Sequence, residues 1–164
     1  MQNNIGILGI NRVSLADGPG VRTVLYIGGC THKCPGCHNE SSHDDLGDMV
    51  PIDYVVAELL NNPYVDITIS GGDGLTIQYE ATLKLLKKLR AASSKNIWLY
   101  TGYTFEELIN SDKKEVLDYI DVLVDGRFIE SKRDITLKFK GSSNQEIVDV
   151  KLSLRLNKKV LYDV

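Results

Sequence analysis

The alternation of short β-branched runs with helical segments constrains this chain more than any other feature of its sequence. "VRTVLYIGG" (21–29), "VDITIS" (65–70), "NIWLY" (96–100) and "DVLVD" (121–125) are apolar runs of strand length. Between them, "PIDYVVAELLNN" (51–62) and "YEATLKLLKKLRAAS" (79–93) place apolar residues at helical spacing. "TFEEL" (104–108) opens a further helix with Thr104 and Glu107 as a capping box, and "KKEVLDYI" continues it. Strand–helix alternation at about 30 residues per unit predicts an α/β fold with parallel strands. The 164 residues are too few for a closed eightfold barrel of about 250 residues. The expected architecture is therefore a short open partial (βα) barrel, a single domain over residues 1–164. The tail from Ile135 reads as further strands and turns, with no predicted pairing.

In such sheets chemistry gathers beyond the carboxyl ends of the strands. Those ends are "GGCTHKCPGC", "SGGDG", "YTGY" and "VDGR", and the first holds every cysteine of the chain, Cys30, Cys34 and Cys37. The formal net charge of −3 gives no electrostatic reason to expect nucleic acid or an anionic membrane as partner. The first twenty residues have no basic segment followed by an apolar one, and no apolar run reaches the roughly 18–20 residues of a membrane span. A soluble cytoplasmic protein is expected. In a reducing compartment, three clustered cysteines argue for metal or redox chemistry rather than disulfides.

Four chemistries suit this cysteine loop. A structural zinc site would complete Cys3His with His32 or His38. "CPGCH" matches the c-type haem attachment pattern, but haem attachment accompanies export, and no export signal is visible. Thiol–disulfide exchange through Cys34 and Cys37 leaves Cys30 without a role. An iron–sulfur cluster with three protein ligands leaves one iron open to a small molecule, and the glycines and proline of the loop suit the tight turns such a cluster needs. The loop alone does not decide among them.

The spacing C-x3-C-x2-C after one strand, followed by "SGGD" after the next, resembles the radical S-adenosylmethionine superfamily. "DGPGVRTVLYIGGCTHKCPGCHN", "SGGD", "WLYTGYTFEEL", "DVLVDGRF" and "KGSSNQEIVDV" together resemble the activating enzymes of anaerobic (class III) ribonucleotide reductase, over residues 17–150. That resemblance implies a 4Fe-4S cluster held by Cys30, Cys34 and Cys37, with S-adenosyl-L-methionine on the open iron. It implies that Gly71, Gly72 and Asp73 bind the methionine half, and that backbone around Gly36, Cys37 and His38 contacts the cofactor. By analogy with a related activase family, Thr101 and Asp125 are further cofactor contacts. The implied reaction is reductive cleavage of the cofactor, hydrogen abstraction from a glycine of the reductase, and storage of a glycyl radical there. The implied partners are the glycyl radical subunit and a flavodoxin-like electron donor. The alternatives are a small radical enzyme of the deazaguanine-forming type, which shares "DGPG" and a similar loop, and a zinc module without chemistry.

One departure stands out. The family usually has proline after the acidic residue, and here Gly74 stands there, which predicts a looser loop. His32 reads as a loop residue, and His43 as part of a solvated connection. Arg22 is expected near the cluster or in a surface ion pair, Arg127 at a strand-end turn. The turn composition of "GSSNQ" (141–145) assigns it no further role.

Overall fold

The computed structural model describes residues 3–32, 34–36 and 44–164. Its frame is an open seven-stranded sheet among the described residues, in the order β3-β1-β2-β4-β5-β6-β7. The strands are β1 (Asn4–Ser14), β2 (Arg22–Ile27), β3 (Asp48–Pro51), β4 (Asp66–Gly71), β5 (Ile97–Tyr100), β6 (Val122–Asp125) and β7 (Glu146–Asp149). The four strands expected from periodicity are β2, β4, β5 and β6, and they pair in parallel. The outer pairings are antiparallel, which corrects the all-parallel expectation. The cysteine loop follows the second strand in the chain rather than the first, because β1 forms before it.

Helices α1 (Ile52–Leu59) and α2 (Tyr79–Ala92) connect the parallel strands and bury Ile52, Val55, Leu59, Leu83, Leu86 and Leu89. α3 (Phe105–Ile109) begins at the expected capping box: Thr104 Oγ1 accepts from Glu107 N at 3.1 Å, and Glu107 Oε1 accepts from Thr104 N at 2.9 Å. The segment expected to continue it is a 3-10 helix, Lys114–Tyr119. The tail contains a helix that its pattern did not announce, α4 (Val150–Leu156). "VKLSLRL" alternates like a strand, yet Asp149 caps the helix by accepting from Leu152 N, and Val150 and Ser153 are buried.

Strict alternation along β4, β5 and β6 gives the sheet two buried faces. Ile67, Ile69, Ile97, Leu99 and Leu123 pack into the main core with α1 and α2. Trp98, Val122, Val124 and Ile147 form a second cluster, with Tyr100, Phe139 and Tyr162 packed against it. Arg22 belongs with this second cluster, which overturns the expectation of a cluster contact or a surface ion pair. It is 2% exposed, with its guanidinium 5.6 Å from the Trp98 ring. It donates to Thr68 Oγ1, Ile67 O, Asn96 O, Asn96 Oδ1 and Pro19 O, so the buried charge meets five acceptors. Burial holds its pKa below the ordinary arginine value. Thr68 Oγ1 donates to Asp17 O at 2.6 Å, which fixes the "DGPG" turn beneath the sheet and sets Ala16 and Asp17 at the edge of the cleft described next.

Candidate active site

At the carboxyl ends of the parallel strands lies a cleft of about 340 Å³, within the range of small-molecule sites. Its floor is built by β2, β4 and β5. The cysteine loop leaves β2 at Gly28 and is strapped to the turn after β4. Gly72 N donates to Ile27 O and Asp73 N to Gly29 O, both at 2.8 Å. Gly71 turns there at φ +109°, and a Cβ on Gly72 would collide with the Gly29 carbonyl oxygen. The two glycines therefore serve the approach of the β4 turn to the cysteine loop itself, and their sequence pattern is that of a backbone-to-backbone joint.

Cys30 is buried, Cys34 is half-buried, and both line the cleft. Both are free thiols. Cys37, His38 and His43 lie outside the described residues. Gly36 is in the left-handed region at φ +74°, and a Cβ there would stand 2.9 Å from the Glu130 carboxyl carbon, so the far wall reaches the cysteine loop at this point.

Asp73 is 2% exposed and its carboxylate is fully engaged. Oδ2 accepts from Thr101 Oγ1 and Gly102 N and lies 2.8 Å from His32 Nε2, all three at the same distance; Oδ1 accepts from Leu75 N at 2.9 Å. A carboxylate only accepts, so this geometry puts the imidazole proton on Nε2. His32 is thus no bystander of its loop. Its ring packs edge-on against Tyr103 at 4.7 Å, and a Cβ on Gly102 would collide with it. The "YTGY" glycine is the space the imidazole occupies. Cys30, His32 and Asp73 bring their ligand atoms within 4.8 Å of one another, the composition of a zinc site. Two members of that trio, His32 and Asp73, are hydrogen-bonded to each other.

Thr101 also lines the cleft. Asp125 does not, and the expected cofactor contact finds no support in its geometry. Its carboxylate turns to the start of α3, accepting from Phe105 N at 2.7 Å and Glu146 N at 3.0 Å, with Lys159 Nζ 3.7 Å away. Burial pushes its pKa up. Arg127 lies at the surface beside Glu107.

The wall beyond β6 is where the sequence assigned nothing. Phe128, Leu137, Phe139, Lys140, Gly141 and Gln145 line the cleft there. The "GSSNQ" segment latches this excursion shut. Gln145 Oε1 accepts from Gly141 N (2.9 Å) and Ser142 N (3.1 Å), and its Nε2 donates to Gly126 O (2.9 Å). Asn144 Nδ2 donates to Arg127 O, and fully buried Ser142 accepts from Ile129 N. A glutamine four residues after a glycine is the only trace of this latch in the sequence.

The comparisons with known proteins show the family of the domain. Residues 16–148 match the profile of the 4Fe-4S single cluster domain family. The anaerobic ribonucleoside-triphosphate reductase-activating protein of Escherichia coli K12 is 38% identical over 144 residues, covering 82% of this chain and 92% of that protein. That of Vibrio cholerae is 37% identical over 145 residues with the same coverage, and that of Enterobacteria phage T4 is 36% identical over 137 residues, covering 80% and 85%. The chain belongs to this family of activating proteins. The matched span takes in every residue that lines the cleft, and the domain it matches is of the 4Fe-4S type. The zinc reading is thereby overturned, although the Cys30–His32–Asp73 trio shows why it was open. No helix among the described residues is long and apolar enough to cross a membrane.

Proposed function

We propose that this protein activates an anaerobic ribonucleoside-triphosphate reductase by radical chemistry with S-adenosylmethionine, carried out in the cleft at the strand ends. The observation that carries the reading is the joining of Cys30, Cys34 and the Gly71–Asp73 turn at one cleft floor, in a chain of the 4Fe-4S activating family. The donor set fits a cluster: Cys30 and Cys34 face the cleft without disulfide, and Cys37 completes the three-cysteine spacing. With both groups bound, the reduced cluster would supply one electron to the cofactor's sulfonium, giving methionine and a 5′-deoxyadenosyl radical able to take a hydrogen from a glycine Cα of the reductase.

The chain's own residues hold and shield this chemistry. Asp73 would accept from the cofactor's amino group in exchange for one of the donors it now holds, His32, Thr101 or Gly102. Gly71 and Gly72 set the height of the floor, and Gly36, Cys37 and His38 would contact the cofactor through their backbone. Tyr100, Phe128 and Phe139 make the far side apolar and keep water from the reacting carbon. The open sheet, curling as a partial barrel in one domain, leaves its mouth free for a loop of the glycyl radical subunit. A flavodoxin-like protein is the reductant in this reading, and the setting is the cytoplasm.

The test is anaerobic. Protein reconstituted with iron and sulfide, reduced with dithionite and given S-adenosylmethionine should yield 5′-deoxyadenosine and methionine, and should raise a glycyl radical signal in the reductase. Cys30→Ala, Cys34→Ala and Cys37→Ala should each lose cluster iron and all product. Full activity in any one of the three would refute the assignment.

A further inference from the structure

The excursion between β6 and β7 turns some of its residues to the cleft and others to solvent, and the reading above gives the second set no task. Leu137, Phe139 and Gly141 line the cleft, whereas Lys132, Arg133, Ile135 and Lys138 are exposed and line no part of it. This lobe is basic out of proportion to the protein. Residues 127–140 hold five lysines and arginines against two carboxylates, a local balance of +3 in a chain of formal net charge −3. The two carboxylates are occupied elsewhere. Asp134 accepts from Thr136 N at 2.9 Å and Thr136 Oγ1 at 2.6 Å, and Glu130 stands against Gly36 of the cysteine loop. Among the described residues the lobe makes one ion pair, Arg127 with Glu107, and Lys132, Arg133 and Lys138 have no counter-ion.

Exposed aliphatic side chains accompany the charge. Ile135 is 87% exposed, in a turn closed by Leu137 N on Asp134 O, and Ile129 is 39% exposed. Such a turn favours small polar residues, glycine or proline, so the isoleucine serves neither the turn nor the core. Leu15, 71% exposed, directly precedes Ala16 and Asp17, which line the same cleft. Aliphatic contacts bordered by charge make up a protein interface. The reaction names the occupant. A glycine Cα that gives hydrogen to a radical formed in the cleft has to be carried there, so the protein that carries it covers the rim.

We infer that the lobe of residues 127–140 is where the reductase docks, with Ile129, Ile135 and Leu15 as apolar contacts and Lys132, Arg133 and Lys138 facing carboxylates beside the reductase's glycine loop. The inference rests on the radical reading proposed above. The two kinds of contact do different work. Burial of the aliphatic side chains holds the complex together, and the basic rim steers an acidic face of the partner toward the cleft.

The experiment separates docking from chemistry. Cluster-loaded wild-type protein, Ile135→Ser, Lys132→Glu/Arg133→Glu and the control Lys114→Glu/Lys158→Glu are matched for iron content and reduced with dithionite. Lys114 and Lys158 are exposed and lie outside both the lobe and the cleft lining. Each protein is assayed for 5′-deoxyadenosine formed without reductase, for binding to the reductase, and for the glycyl radical raised in it; reduction of the cluster by a flavodoxin is timed as well. Ile135→Ser should bind the reductase about tenfold more weakly, the scale of one buried aliphatic side chain. The double reversal at Lys132 and Arg133 should associate about tenfold more slowly and lose most of the salt dependence of the wild type. The control should change neither. Both lobe variants should form 5′-deoxyadenosine at the wild-type rate and recover the full radical yield at saturating reductase. Unchanged binding in both lobe variants overturns the inference and leaves the proposed function intact; if their reduction by the flavodoxin is slower, the lobe belongs to the electron donor instead. Lobe variants that hold iron but form no 5′-deoxyadenosine also overturn it, since the lobe would then serve the cleft. A wild-type protein that holds its cluster and yields neither 5′-deoxyadenosine nor glycyl radical overturns both. Should a lobe variant fail to load iron, Ile135→Thr or Lys132→Gln/Arg133→Gln is measured in its place against the same criteria.

Discussion

The two sides of the cleft are built by opposite means. The floor is backbone against backbone: Gly72 and Asp73 hydrogen-bond Ile27 and Gly29, and no side chain could be inserted at Gly71 or Gly72. The wall is side chain against backbone: the carboxamides of Gln145 and Asn144 and the hydroxyl of Ser142 hold an excursion of the chain that has little core of its own. A floor of that kind has no slack, because backbone atoms cannot turn aside as side chains do. A wall of that kind can lose one tie and keep the others. The difference suits the two tasks assigned to them. Ligands of a cluster must be held within tight distances, whereas in the proposed function the wall would meet a cofactor and a protein loop that come and go.

Gly72→Ala tests the floor and should have the largest effect. The new Cβ would meet the Gly29 carbonyl oxygen, so either the strap between the β4 turn and the cysteine loop breaks or β2 and β4 part at their ends. Overpacking of this kind costs about 1–3 kcal/mol and more where only backbone can yield. The expected outcome is a lowered unfolding midpoint in denaturant together with poor retention of iron. Normal iron content and a normal midpoint would show that the floor has slack after all.

Gln145→Ala tests the wall and should do less. It removes three hydrogen bonds, at Gly141, Ser142 and Gly126, and leaves those of Asn144 and Ser142 in place. A loss of about 1–3 kcal/mol is expected, since backbone groups of buried Gly126 and Ser142 lose their partner. Amide exchange should quicken over residues 126–145 and stay unchanged at Ile27, Gly72 and Asp73. Faster exchange on the floor as well would mean that the two sides are one cooperative unit. Iron content should be close to that of the unaltered protein.

The same contrast explains what the sequence made legible. Period-2 runs flanked by helices disclosed β2, β4, β5 and β6, and the glycines at their ends disclosed the floor, because backbone joints demand glycine and leave a visible mark. β1 went unread since Gly6 and Gly9 interrupt its apolar residues, although Ile5 and Ile7 are buried in the core. α4 went unread because its leucines alternate. The engagement of His32 with Asp73 was hidden for a different reason: it joins residues 41 positions apart, and nothing local to either marks the pair. The latch of Gln145 lay in a quoted motif, but a carboxamide holding a turn has the same composition as an idle turn.

The smallest effect concerns Gly74, where this chain departs from the proline usual in its family. The expectation of a looser loop overlooks what surrounds the position. A Cβ on Gly74 would lie 2.8 Å from Thr82 Oγ1 and 2.9 Å from Ile27 Cδ1, so the space a larger residue needs is taken by a side chain of α2 and one of β2. The Asp73 side chain and carbonyl already hold the turn, through Leu75 N at 2.9 Å and Thr76 Oγ1 at 2.8 Å. Glycine here is therefore matched to Thr82, whose hydroxyl is buried and has no hydrogen-bond partner among the described residues. Gly74→Ala alone should destabilise by about 1 kcal/mol, since Thr82 must shift by a few tenths of an ångström. In a Thr82→Ala background the same change should cost less, because the Thr82 atoms it meets are gone and only Ile27 Cδ1 remains. A double-mutant cycle by chemical denaturation reads the coupling directly, and for residues in contact it should exceed about 0.5 kcal/mol. Additive effects would mean that Ile27, on the floor, is the true obstacle, and the intolerance of the floor would then extend one residue further along the turn.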